Sequence, residues 1–488
     1  MQGNIELIMP IALPIIGGLV VLLLKNLNKT KLMRVIFLAI LGVSVVLSVT
    51  NCFLGDLYLN AGKLADGLDI IFKLDDVGRF FSMLTALIWL LTGIFSCEYF
   101  KHEERENQFF GSYLMTYGIL MGIDYAGSIL TLYVFYEAMT LVTVAFVIHS
   151  RTPQAVAASL KYLMYSLFGA FMGLIAIFFI NVYGTTLEFT AGGVFGDVSQ
   201  YNDILLVVAL LSILGFGTKA GMFPLHGWLP EAHPVAPGPA SAVLSGIITK
   251  SGVIALIRVV YYIFGADFIR GTWVQYTWMT LALITVIMGS VMAFKQDNLK
   301  KRLAYSTVSQ VSYVLFGLSL LNATAFVGAL LHVTFHAILK VALFLVAGAI
   351  VYKTGNLSVK LLKGIGKKMP IAMVCFAVAA LGLVGIPPVN GFVSKWYLAT
   401  GAIAADITGF SVIGPICLLC SAIFTAAYLF PPVIDGFFMV EKDETIKKND
   451  INFTMALPLI ILAVLAVVTG VFSTPLVEFF SSIVNGLL

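Results

Sequence analysis

Charge is what this chain lacks. Only 11% of its 488 residues are Asp, Glu, Lys or Arg, and 60% are hydrophobic. A soluble domain has about a quarter of its residues charged. So little charge excludes an ordinary soluble protein and points to a chain that crosses the bilayer many times. The net charge of +4 therefore says little about nucleic acid, and no nucleic-acid partner is expected. Cysteine is also scarce. Cys417 and Cys420 form a C-x-x-C, but inside the apolar run "ICLLCSAIFTAAYLF". They read, with Cys52, Cys97 and Cys375, as small hydrophobes rather than as a redox pair or metal site. No nucleotide or cofactor motif is present. Residues 5–24 are apolar, but no basic residue precedes them and no cleavage site is clear. They read as a retained first helix.

What is present is a series of long hydrophobic runs. Each span needs about 20 apolar residues. Fourteen are expected: 5–24, 32–54, 77–97, 109–123, 125–148, 160–183, 203–226, 239–264, 275–294, 303–321, 325–352, 371–399, 408–434 and 454–475. The fourth is short. The eleventh and twelfth are long enough to be broken. Basic residues test the count. After odd-numbered spans come nineteen Lys and Arg, among them Lys25, Arg34, Lys101, Lys300, Arg302, Lys353, Lys368, Lys442, Lys447 and Lys448. After even-numbered spans come only Lys63, Lys73, Arg79 and Arg270. Positive loops stay in the cytoplasm, so both termini are expected outside a cell (inner) membrane.

Six of the 29 Lys and Arg are left inside spans: Lys161, Lys219, Lys250, Arg258, Lys340 and Lys395. Among acids, Glu137 lies mid-span in "LYVFYEAMTLVTVAF". A charge near the bilayer centre costs about 3 kcal/mol or more, so such residues read as functional by default. Arg258 is the exception, since it lies near a span end and can snorkel. The eleventh span carries "LLHVTFHAILKVALF". Its His332, His336 and Lys340, at i, i+4 and i+8, share one slowly drifting face over about 12 Å of depth. Histidine gives and takes protons near neutral pH, and a buried lysine can lose its own. Three such groups on one stripe favour a proton relay over packed core residues. His226 and His233, in "FPLHGWLPEAHP", either help proton entry or cap a turn. His102 and His149 read as surface residues.

Two spans also carry helix breakers. Gly217 and Pro224 flank Lys219, and Pro387, Pro388 and Gly391 precede Lys395. Irregular backbone in a membrane is tolerated where protein buries it or where it lines a wet cavity. Broken helices beside midplane charges mark transporters with inverted repeats. The expected architecture is an all-α polytopic membrane protein of about fourteen helices. It has a three-helix N-terminal segment (1–105), inverted five-helix blocks (109–264 and 275–436) and a final helix (454–488).

The stretch "GFGTKAGMFPLHGWLPEAHPVAPGPASAVLSGIITKSGVIALIRV" resembles the signature of a known family. The family comprises the antiporter-like membrane subunits of respiratory complex I, of Mrp-type cation/proton antiporters and of energy-converting membrane hydrogenases. "FYEAMTL", "DNLKKRLAYSTVSQVSY" and "GIPPVNGFVSKW" also resemble family blocks, and the likeness covers roughly residues 75–435. It implies that Glu137 pairs with Lys219 and that Lys250 is the next relay site. It also implies that His332, His336 and Lys340 are the polar positions of a broken eleventh helix, and that Lys395 lies at the exit. Lys161 matches a basic residue common early in span six. Some branches carry glutamate where this chain has Lys395. The chain lacks the extra spans of the largest members and is expected to be a mid-sized subunit.

The expected function is proton translocation, with sodium undecided, driven by redox chemistry in partner subunits. No cofactor is expected in this chain. Iron–sulfur clusters, flavin, a nickel–iron centre or quinone would belong to partners: further antiporter-like and small membrane subunits, and a peripheral redox arm. A stand-alone Mrp-type Na+/H+ antiporter is the alternative. An unrelated solute carrier would need a substrate pocket, where this chain offers a line of titratable groups. A structural subunit with a dead channel would not need to retain costly buried charges.

Overall fold

A computed structural model describes residues 2–439 and 450–488. The basic residues Lys442, Lys447 and Lys448 lie outside the described residues. The helices are α1 (Met9–Leu23), α2 (Lys31–Asn51), α3 (Asp76–Tyr99), α4 (Glu106–Asp124), α5 (Ile129–Val147), α6 (Pro153–Tyr183), α7 (Asn202–Ala220), α8 (Leu229–Val235) and α9 (Gly238–Phe264). They continue as α10 (Trp273–Lys295), α11 (Leu299–Ser319), α12 (Ala323–Thr354), α13 (Pro370–Val384), α14 (Gly391–Ala404), α15 (Phe410–Phe438), α16 (Phe453–Val471) and α17 (Thr474–Asn485). Many starts are written in the sequence. Thr30, Asp75, Ser128, Thr152, Asn298 and Asn322 each accept a backbone N–H with the side chain at the N-cap. These residue types satisfy donors that a helix start leaves orphaned.

Among the described residues, eleven helices are long and apolar enough to cross a membrane. The chain is a multi-pass membrane protein. The other expected spans correspond to α4, α11 and the pair α13–α14. α4 and α11 carry many polar residues, yet nearly every residue of each is buried by other helices. A helix shielded from lipid by protein need not be uniformly apolar. α9 and α12 are buried almost all round by the rest of the protein.

Two expectations are corrected, the broken eleventh span and the surface His149. The eleventh span is unbroken: α12 runs for 32 residues as one α-helix. No proline or glycine lies between Gly328 and Gly348, so nothing interrupts its hydrogen bonds. The link between the second and third spans folds into a small sheet. β2 (Leu57–Ala65) and β3 (Leu68–Leu74) form an antiparallel hairpin, and β1 (Gln2–Gly3) adds to β2. Asp66-Gly67, with Gly67 at φ 79°, turns the hairpin. His149 is not at the surface. It is buried, and its Nε2 is 3.1 Å from the Glu104 carbonyl oxygen. His102 is exposed, as expected.

Candidate functional site

The two helix breaks are built alike. α7 ends at Gly221 (φ 75°) and α13 at Gly385 (φ 95°), both left-handed. Glycine adopts that conformation without steric cost and ends a helix there. Pro224 and the pair Pro387 and Pro388 follow, with Phe223–Pro224 and Pro387–Pro388 as cis peptides. Two of the expected breakers do other work. Gly217 is helical within α7. Gly391 begins α14, where a Cβ would run into the Gly382 carbonyl oxygen. Only glycine lets the two half-helices come this close.

Lys219 lies in the last turn of α7 and is fully buried. Its ammonium donates to Thr140 Oγ1 (2.6 Å) and the Tyr162 hydroxyl (3.0 Å). It also stands 4.9 Å from the Tyr162 ring centroid and 5.4 Å from that of Tyr136. The hydroxyls and ring faces replace part of its hydration. Glu137 lies one turn before Thr140 on α5. Its buried Oε1 has no hydrogen-bond partner, and no ion pair joins it to Lys219. The expected pair is thus present as neighbours but held apart.

Lys250 lies on α9, directly after a π-helical turn over Leu244–Ile248. Its Nζ donates to the Ser245 carbonyl at 2.7 Å. It also lies 2.6 Å from His336 Nδ1, on α12. That contact joins α9 to α12. Two positive charges at this distance would repel, so one of the two partners is neutral and accepts. His336 is 6.0 Å from His332, ring centre to ring centre. His332 Nδ1 is 2.9 Å from Ser394 Oγ, and its ring stacks on Tyr313 at 5.3 Å and 9°. Lys395 Nζ sits over the other flank of the line, 5.4 Å from the Tyr313 centroid. It donates to the carbonyls of Leu383 (2.7 Å) and Val384 (2.8 Å). These belong to the last turn of α13, where a helix leaves carbonyls orphaned and partial negative charge gathers. Lys395 also lines an apolar cleft of about 500 Å³ between α13, α14 and α15. Lys340 points away from this line, towards α11, and donates to the Leu303 carbonyl at 2.9 Å.

The structure therefore brings together Lys250, His336, His332 and Lys395, with Glu137 and Lys219 as a neighbouring cluster. Lys161 is not among them. It is exposed on α6, and lines a cleft with Glu231 and Lys301. Its place early in the helix leaves it at the rim. His226 lies in the turn between α7 and α8, with Nδ1 buried and without a hydrogen-bond partner. Arg258 does not snorkel. It is 1% exposed and makes a bidentate pair with Asp75, at 2.5 and 2.7 Å. Burial opposes charge on Asp75. The Arg258 guanidinium, the Gly78 N–H and the Tyr262 hydroxyl outweigh it, and they hold the carboxyl below the usual range. Sequence reasoning missed Tyr162, Thr140, Tyr313, Ser394 and Ser245. Hydroxyls are common on these helices, and nothing local marks the few that meet a lysine or histidine.

Comparisons with known proteins agree with the fold. Residues 126–425 match the family model described as NADH:quinone oxidoreductase/Mrp antiporter, TM. NADH-quinone oxidoreductase subunit N of Desulforudis audaxviator (strain MP104C) is 29% identical over 427 residues, covering 84% of this chain and 83% of that protein. A Na(+)/H(+) antiporter protein of Bacillus subtilis (strain 168), the D component of its complex, is 29% identical over 454 residues, covering 91% and 89%. A chain in the structure of the Mrp complex from Dietzia sp. DQ12-45-1b superposes with a TM-score of 0.86 at 22% identity, covering 99% of this chain and 97% of that one. With more than half of its length matched, the chain belongs to the NADH:quinone oxidoreductase/Mrp antiporter transmembrane family.

Proposed function

We propose that this chain is the ion-translocating membrane subunit of a larger complex, and that protons cross it along a midplane line of side chains. In this reading they enter from the cytoplasm near the first block. They pass from Lys250 to His336 and His332, then to Lys395, and leave on the far side. Lys340 feeds the same line from the α11 side. The carrying observation is the 2.6 Å contact between Lys250 Nζ and His336 Nδ1, a direct bridge between the two blocks. Glu137 and Lys219 act as the switch. A nearby carboxylate favours the charged amine, and separation favours proton release. The separated arrangement described above is one of the two states a switch requires. The same reading places fourteen crossings in a cell membrane, both termini outside, and two inverted five-helix blocks around the line.

Redox chemistry belongs to partners: further antiporter-like and small membrane subunits, and a peripheral arm carrying iron–sulfur, flavin, nickel–iron or quinone chemistry. The 91% coverage by the Bacillus subtilis antiporter protein and the 0.86 likeness to a chain of an Mrp complex favour a second reading. In it, the chain serves a Na+/H+ antiporter without redox partners. Gentle purification from the native membrane separates the two. Co-purifying redox subunits support the first reading, and small membrane subunits alone support the second. Proton translocation by the complex in sealed vesicles tests the line itself. Lys250→Met is expected to lower the rate about 100-fold with assembly intact, since a positioned proton-transfer group contributes 10²–10⁴. Wild-type rates in that variant would remove Lys250 from the path.

A further inference from the structure

Lys340 has no place in the direct line from Lys250 to Lys395, yet it is a fully buried amine. Its surroundings lead to a residue the proposed function does not use. His233, on α8, is fully buried, and neither ring nitrogen has a hydrogen-bond partner. Buried polar atoms are nearly always paired, so an imidazole with two unpaired nitrogens asks for an explanation. The ring stacks on Phe344 at 4.6 Å and 17°, one turn beyond Lys340 on α12. Its own backbone is fixed separately, because Ser241 Oγ donates to the His233 carbonyl at 3.0 Å.

Two amines lie near enough that the charges of Lys340 and Lys300 both bear on the ring. Lys300 begins α11 at 3% exposure and donates to the Ala236 carbonyl (2.8 Å), three residues along from His233. Lys340 donates to Leu303, three residues along α11 from Lys300. Glu103, in the connection between α3 and α4, bears in turn on Lys300. The Lys300 amine thus sits at the end of the helix that carries His233, and the Lys340 amine one turn further along α11, beside the turn of α12 that stacks on the ring.

We infer that His233 carries protons from Lys300 to Lys340, as an entry route to the second block. The inference rests on the proposed function and adds a residue to it. A proton leaves the Lys300 ammonium and arrives, through water, on one ring nitrogen. The proton on the other nitrogen leaves for the neutral Lys340 amine. Charge and proton count balance, and the ring is left in its other tautomer. Exchange of the ring protons through water, off the nitrogen that gained one and onto the nitrogen that lost one, returns the first tautomer. Neither nitrogen is held by a hydrogen bond, so none has to break, and the stack on Phe344 is kept. His332, tied to Ser394, lacks this freedom.

The test uses the whole complex in sealed vesicles. His233→Gln keeps polarity but cannot carry a proton, and His233→Phe keeps the stack on Phe344. The expected result is an assembled complex whose proton translocation falls at least ten-fold in both variants. The residual rate should show a larger solvent deuterium effect than the wild type. A merely structural histidine would not change that isotope effect. Wild-type rates in either assembled variant would overturn the inference, and so would failure of both variants to assemble. Lys250→Met in the same assay separates the two ideas. If it abolishes translocation while His233→Gln does not, only the entry route fails. If neither affects it, the proposed line fails.

Discussion

The Asp75–Arg258 pair gives the sharpest stability prediction. Arg258 lies on α9, the helix that carries Lys250, and Asp75 is the N-cap of α3. The pair pins α9 to the start of α3. Removing one partner of a buried pair typically costs 3–5 kcal/mol, because the other is left charged and unpaired. The two sides are not equivalent here. The Arg258 side chain is 1% exposed and that of Asp75 is 23% exposed. Asp75→Asn leaves a guanidinium in the interior. It keeps the asparagine Oδ1 as a neutral acceptor and the Tyr262 and Phe189 ring faces, at 4.7 and 5.1 Å, worth about 0.5–1 kcal/mol each. Asparagine still caps α3, so the cap is not lost. The net cost is about 2–4 kcal/mol. Arg258→Met removes the buried charge itself. Asp75 then keeps the Gly78 N–H, the Tyr262 hydroxyl and some water. The cost there is the lost packing and one polar contact, about 1–2 kcal/mol. The double variant should resemble Arg258→Met rather than the sum. Denaturant midpoints in detergent, read by the buried Trp89, Trp228 and Trp278, measure all three variants. The reasoning is refuted if Arg258→Met proves the more damaging single change, or if the two costs simply add. The same pair sets a pH dependence. The folded carboxyl titrates below its unfolded value of about 3.9. Its contribution is therefore present above that value and is lost as pH falls through the folded value. Wild type should lose stability in acid more steeply than Asp75→Asn.

Two further outcomes follow from close contacts. Gly391→Ala drives a Cβ into the Gly382 carbonyl, which is backbone and cannot step aside. It should destabilise by about 3 kcal/mol or prevent assembly, while Gly42→Ala, which meets nothing within 4 Å, should fold normally in the same thermal assay. Ser394→Ala frees His332 Nδ1 from its 2.9 Å partner. Stability should fall by about 1 kcal/mol, and proton translocation should slow more than stability alone explains, because the ring loses its orientation. Unchanged translocation would mean that His332 does not need Ser394 to stay in line.

Much of this protein is legible in its amino acids alone. Lack of charge implies a membrane protein, and eleven helices long and apolar enough to cross one are present among the described residues. That Lys219, Lys250, His332, His336 and Lys340 are costly, and so candidates for function, follows from one physical fact: a titratable group near the bilayer centre gives up water and is expensive to keep. Helix starts and breaks are written in Thr, Asp, Ser, Asn, Gly and Pro, because these residues act on their own backbone. What the sequence could not determine is which distant groups meet. Lys219 meets Thr140 and Tyr162 rather than Glu137, and Arg258 turns inward because Asp75, 183 residues away, stands there. Lys161 and Lys219 look alike in one dimension, yet α6 turns one outward and α7 turns the other in. A residue's own type fixes its cost of burial. Only the packing of helices far apart in the chain decides which partner offsets that cost.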